Sequence, residues 1–161
     1  MTAAQPAARD PRRDFDFLHG SWRIDHRRLK ERLVGCDEWE EFSTGLTCYP
    51  ILGGAGNIDE GDFPARGYHA MSLRLYDEQQ QTWSIYWITS LSAVIEPPVV
   101  GGFADDGTGA FFGPDTHNGT PVMVRYRWSD ITPASVRWEQ ALSVDDGQIW
   151  ETNWVMGLTR T

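Results

Sequence analysis

The chain has 161 residues, among them eight Trp, seven Phe and five Tyr, and a formal net charge of −9. That length suits one domain with a sizeable core, and the aromatic content excludes a disordered chain. The acidic balance argues against a nucleic-acid partner, which needs a basic stripe, and no apolar run approaches the roughly 20 residues of a membrane-spanning helix.

The first residues, Met1 to Asp14, are rich in Ala, Pro and Arg and lack the apolar core of a secretory signal. Residues 1–13 are therefore expected to form a flexible tail, with one domain over 14–161. Two cysteines, Cys36 and Cys48, are too few for a disulfide framework and lack metal-ligand spacing. A reducing cytoplasm is the expected location, and neither a metal nor a cofactor is called for.

Short runs of β-branched and aromatic residues follow, cut by Gly, Asp, Asn and Pro. They predict strands near 21–30, 37–48, 56–60, 67–76, 82–90, 98–104, 109–113, 121–129, 135–143 and 149–159. Asn118-Gly119 and Asp146-Gly147 supply the positive φ of tight hairpins. About ten hairpin-linked strands favour an all-β, antiparallel up-and-down barrel, which leaves no sheet edge exposed; a sandwich is the alternative. His26 to Leu33 would suit a helix by propensity, but a strand turning at Val34-Gly35 sets Asp37 to Glu41 opposite basic residues.

Alternation assigns faces. Trp83, Ile85 and Trp87 share one, as do Val122, Val124, Tyr126 and Trp128, and Val136, Trp138, Gln140 and Leu142. Trp150, Thr152, Trp154, Met156 and Leu158 share another. His69 alternates with Met71, Leu73 and Leu75, which gives it a buried or mouth-lining place.

Phe15 to Leu18, a short apolar turn, precedes Gly20-Ser21-Trp22 at the start of the first strand. This pattern resembles lipocalins and fatty-acid-binding proteins, members of the calycin superfamily. The resemblance implies that the turn plugs one barrel end, that Trp22 packs beside it, and that Arg160 on the last strand covers Trp22 by cation–π stacking. A closer resemblance, to an uncharacterised family of small bacterial calycin-like proteins, covers nearly the whole chain through Phe15 to Trp22, Arg27 to Leu33, Cys36 to Phe42, Leu52-Gly53-Gly54, Gly56 to Glu60, Trp83 to Trp87 and Trp150 to Trp154. It implies a fold and no settled activity. Nitrobindin-like haem barrels are a more distant comparison, and their Gly-rich, Trp-containing signature is absent.

If Trp22 points inward, so do Ile24, His26 and Arg28. A tight turn at Val34-Gly35 would put Arg28 opposite Glu41 and His26 opposite Ser43, giving an acid–base group in a Trp-lined interior. A structural ion-pair ladder is the competing account of these residues. Asn57 and Asp59, after a Gly-rich bend, are candidates to orient a polar ligand group. Trp83, Trp87, Tyr126, Trp138, Gln140 and Trp154 would line the cavity, unless they are simply core.

The leading expectation is a barrel that binds a small apolar or aromatic molecule. The alternatives are a cofactor-free isomerase, cyclase or lyase using His26, Arg28, Glu41 or Asp59, and a haem-binding barrel. A small-molecule partner is expected, without nucleic acid or membrane, and a homodimer is left open.

Overall fold

The computed structural model of the protein describes residues 8–161. Ten strands run β1 (Gly20–Leu29), β2 (Trp39–Ile51), β3 (Gly56–Phe63), β4 (Tyr68–Asp77), β5 (Thr82–Thr89), β6 (Val99–Phe103), β7 (Gly109–His117), β8 (Thr120–Ser129), β9 (Ser135–Ser143) and β10 (Glu151–Arg160). Each pairs antiparallel with its chain neighbour, and β1 pairs with β10, so the sheet closes into an up-and-down barrel. Closure satisfies backbone groups that an open sheet would leave at its edges. The expected barrel is the observed one, strand for strand. Hairpin chemistry holds as well: Asn118 and Gly119 both take positive φ, as do Asp146 and Gly147.

One end is plugged. Residues Asp16–Leu18 form a 3-10 turn under the barrel, with Phe15 and Leu18 fully buried. Phe15 meets the rings of Trp83, Phe103, Phe111 and Trp128 with centroids 5.0–5.7 Å apart. Such pairs contribute about 0.5–1.5 kcal/mol each beyond burial, enough to hold so short a turn in place. The Trp22 indole donates to Leu18 O at 2.8 Å, and the Arg160 guanidinium lies 4.1 Å over the Trp22 ring. Gly20 is needed twice over. Its φ is +111°, and a Cβ there would fall 2.7 Å from Arg160 Nη1.

Of the expected tail, residues 1–7 lie outside the described residues. Arg9 donates to Phe103 O at 2.7 Å, and Pro11 O accepts the Trp83 indole N–H at 2.9 Å, so residues 9–11 are tied to the barrel base.

The β1–β2 connection spans residues 30–38 instead of turning tightly at Val34-Gly35, and Arg28 therefore faces Glu40 while His26 faces Phe42. A one-residue slip exchanges faces. Glu41 accordingly lies outside, 3.4 Å from Arg27, with both side chains exposed. In β10 a bulge at Asn153 breaks the expected run: Thr152 pairs with Ala141 and Trp154 with Gln140, so Thr152 leaves the inner face and Asn153 is buried.

On β4 the inner face is Tyr68, Ala70, Ser72 and Arg74, while His69 is exposed beside Asp62. Met71, Leu73 and Leu75 sit on the outside, where Leu73 forms a cross-strand row with Ile58 and Tyr86. That outer apolar row is why alternation there pointed to the wrong face.

β5 and β6 are joined by three residue pairs, Trp83–Gly101, Ser84–Val100 and Ile85–Val99. Tyr86 to Thr89 thus have no partner on that side, and residues 90–98 cross the gap. This is the thinnest seam in the barrel, and it lies at the end opposite the plug.

Candidate functional site

Between plug and mouth the barrel keeps an internal cavity of about 70 Å³. Its walls include Phe63, Trp87, Trp138 and Trp154, with Ile24, Ile85 and Leu158 below. Thr44, Ser72, Tyr126 and Gln140 bring polar atoms to it, as do His26, Asp59 and Arg74. The aromatic walls brace one another: Trp154 meets Trp87 and Trp138 edge-to-face, at 5.9 and 5.5 Å.

His26 stands at the upper wall, buried to 1 % exposure and stacked on Phe42 at 4.4 Å. The Trp154 indole donates to its Nδ1 at 3.1 Å. An indole nitrogen can only donate, so Nδ1 is the acceptor and the ring proton sits on Nε2, donated to Thr44 Oγ1 at 2.8 Å. Burial, assisted by the charge of Arg28, pushes the imidazole down to about 4. His26 is therefore a neutral ring with both nitrogens engaged. Proton transfer or iron ligation would require one of these bonds to break.

A second group lies lower in the barrel. Arg74, 4 % exposed, pairs with the equally buried Asp59 at 2.5 Å, and its Nη1 also donates to Asn57 Oδ1 at 3.0 Å. Asp59 Oδ1 accepts the Ser72 N–H at 3.2 Å. A buried charge persists only when paired and hydrogen-bonded, and this set meets that condition. Some capacity is left over: Arg74 Nε, Trp128 Nε1 and Asn153 Nδ2 are buried without a hydrogen-bond partner, and Asp59 Oδ2 has the ion pair alone. Burial pushes the Tyr126 phenol up to about 12, so it keeps its proton as a donor.

At the mouth three arginines gather. Arg28 lies 4.6 Å over the Trp154 ring, and Arg66 pairs with Glu40 while covering the Phe42 ring at 5.1 Å. Arg32, from the loop after β1, is pushed down to about 10 by burial and then by the charge of Arg28; burial and Arg28 lower Arg66 as well.

The residues singled out from sequence thus divide. Trp87, Tyr126, Trp138, Gln140, Trp154, His26 and Asp59 all line the cavity. Trp83 does not: it packs on Phe15 as part of the plug. Asn57 acts on Arg74 and does not reach the cavity. Arg28 sits above the cavity, and Glu41 is outside. Sequence reasoning missed Arg74, Arg66, Arg32, Glu40 and Asn153. Tyr68-His69-Ala70-Met71-Ser72-Leu73-Arg74 held a signal for Arg74: the small residues Ala70 and Ser72 on its face leave room inside a barrel crowded by aromatics.

Fold and interior together define a calycin-like barrel with an internal cavity. Among solved structures the chain is similar to the S-type phycobiliprotein lyase CPES from Guillardia theta, with a TM-score of 0.51 and 13 % identity over 91 % of this chain and 90 % of that one. At that identity the likeness shows the fold alone. No protein-family model and no curated protein matches the chain. Among the described residues no helix is long and apolar enough to cross a membrane.

Proposed function

We propose that the protein binds a small aromatic or apolar molecule inside the barrel. The observation that carries this reading is the cavity itself, walled by aromatic rings and supplied with a few convergent polar groups. A barrel with a purely structural role is expected to fill this space with aliphatics. This interior instead holds a neutral histidine, a buried Arg–Asp pair and unpaired donors, each of which costs stability unless something offsets it. At about 70 Å³ the space is smaller than the roughly 300–1,000 Å³ of typical ligand pockets. An aromatic ligand therefore enters by displacing wall side chains, and the thin β5–β6 seam supports such movement. The acid–base reading has less support, because Glu41 stands on the opposite face from His26. His26 and Asp59 are both in the cavity, but His26 is engaged with Thr44 and Trp154, and Asp59 with Ser72 and Arg74.

Titration of the purified protein with naphthalene, indole, 2-naphthoate and long-chain fatty acids, followed by Trp fluorescence, tests the proposal. Saturable quenching by at least one aromatic compound is expected, because Trp87, Trp138 and Trp154 line the site. No saturable response to any of them would overturn it.

A further inference from the structure

Among the described residues, two guanidinium groups at the mouth stand outside any ion pair. Arg66 has a carboxylate partner in Glu40, but neither Arg28 nor Arg32 forms an ion pair among the described residues. Arg28 is held by the face of Trp154. Arg32 Nη2 is buried without any hydrogen-bond partner, which is costly for a charged donor. Two carboxylates stand near Arg32 without pairing to it; each has one oxygen on a backbone amide, Glu151 on the Leu33 N–H at 2.9 Å and Asp115 on the Thr116 N–H at 2.7 Å.

These arginines frame a groove of about 460 Å³ at the rim, lined also by Lys30, by Glu31 and by Glu40; Lys30 is paired with Glu38 and Glu40 with Arg66. The groove and the internal cavity share no lining residue; Trp154 lines the cavity, and Arg28, which covers its ring, lines the groove. The Trp154 indole N–H bonds His26 within the cavity, and its ring face carries Arg28 at the rim. Along β1, His26 and Arg28 are two residues apart on one face, about 7 Å at the usual rise per residue. That spacing matches one or two fused aromatic rings.

We infer that the mouth is an oxyanion site, in which Arg28 and Arg32 take the carboxylate or phosphate of an aromatic ligand whose ring system lies past Trp154. Planar guanidinium groups bind both oxyanions through paired N–H donors. The ligand class is thus an aromatic acid, with charge at the rim and rings in the barrel. The inference rests on the cavity reading for the ring portion and on the arginines alone for the anion.

The test compares 2-naphthoate with its uncharged amide by calorimetry, on the wild type, Arg28→Gln and Arg32→Gln. In parallel, inorganic phosphate and acetate are titrated while the arginine Nε–H signals are followed by NMR, assigned by their loss in the two variants. Naphthoate is expected to bind at least tenfold tighter than the amide, with the gap narrowing at high salt and closing in either variant. Phosphate or acetate, whichever matches the preferred oxyanion, shifts the Arg28 and Arg32 signals. Equal affinity for acid and amide, with no anion-induced shift, overturns the anion site and leaves the cavity reading standing. Binding of neither naphthalene compound, with clear anion shifts at Arg28 and Arg32, upholds the anion site and removes the cavity reading. No response to any probe overturns both. Should a glutamine variant fail to fold, the salt dependence and acid–amide gap of the wild type still decide the matter.

Discussion

The indole N–H of Trp154 donates to Nδ1 of His26 at 3.1 Å, which fixes the tautomer of a histidine held at 1 % exposure. The folded protein favours the neutral ring, with its ionisation lowered to about 4, against about 6.5 in an unfolded chain. Between those values the unfolded state binds a proton that the folded state does not. The contribution is therefore complete above pH 6.5, lost progressively as pH falls toward 4, and constant below that. Its ceiling is roughly 3 kcal/mol, from about 1.4 kcal/mol per unit. Urea unfolding of the wild type and of His26→Gln from pH 7.5 to 3.5 checks this. The wild type should lose more stability than the variant across the window, and parallel curves would contradict the assignment.

Arg160 ties the plug to the barrel through three backbone carbonyls. Its Nε donates to Pro133 O at 2.8 Å, Nη1 to His19 O at 2.6 Å and Nη2 to Phe17 O at 2.8 Å, all while it stacks on Trp22. A lysine keeps the charge and loses the fork. Arg160→Lys should cost about 2 kcal/mol by chemical denaturation, a value discounted for the exposure of the side chain. Gly20→Ala should cost a similar amount, since its Cβ would invade the same guanidinium. The double variant should cost clearly less than the sum, because both changes break one contact.

The plug end was legible in the sequence because its determinants are local or tied to the chain ends: a turn, a glycine with one tolerable residue type, a tryptophan and a terminal arginine. The inward set on β5, β8 and β9 was legible because each strand alternates cleanly against a polar outer face. The mouth was not. Its register depends on the length of the connection at residues 30–38, and one residue of slip exchanged Glu41 for Glu40. On β4 the apolar outer row Ile58–Leu73–Tyr86 inverted the usual sign of the pattern, which hid Arg74. Asn153 was invisible for another reason: a bulge has no periodic signature until its partner strand is known.

Asp59 and Arg74 form a buried pair in which each member makes the other tolerable. Removing one partner leaves an uncompensated buried charge, which typically costs about 3–5 kcal/mol, whereas replacing both with apolar residues of similar volume is often neutral or better. Asp59→Leu and Arg74→Met should each destabilise by that order, and the double variant should recover most of the loss. A thermal-unfolding double-mutant cycle reads this directly. If the double variant is as unstable as the sum of the singles, the pair is not the coupled unit described.

The β5–β6 seam should be the first part of the barrel to open. Tyr86 to Thr89 are paired to β4 and lack a β6 partner, and the residues bridging the gap include exposed Leu91, Val94 and Ile95. Backbone amides that point across the gap have no ladder acceptor there. Native-state hydrogen exchange should show alternating weak protection across Tyr86 to Thr89, with amides facing β4 slower than those facing the gap. Uniform protection equal to that of β9 would argue against the seam as a ligand's way in.

Ala70 offers a test in which stability and binding move in opposite directions. It lies on the inner face of β4, is 4 % exposed, and lines the cavity beside Phe63 and Trp87. Leucine there adds three carbons that project into the cavity. Filling a real void restores packing contacts, whereas overpacking a filled core costs about 1–3 kcal/mol. Ala70→Leu should therefore leave the unfolding midpoint unchanged or raise it, while weakening 2-naphthoate at least tenfold. Loss of both stability and binding would mean that the space is already filled. Binding at wild-type affinity would argue that the rings lie elsewhere than beside Ala70.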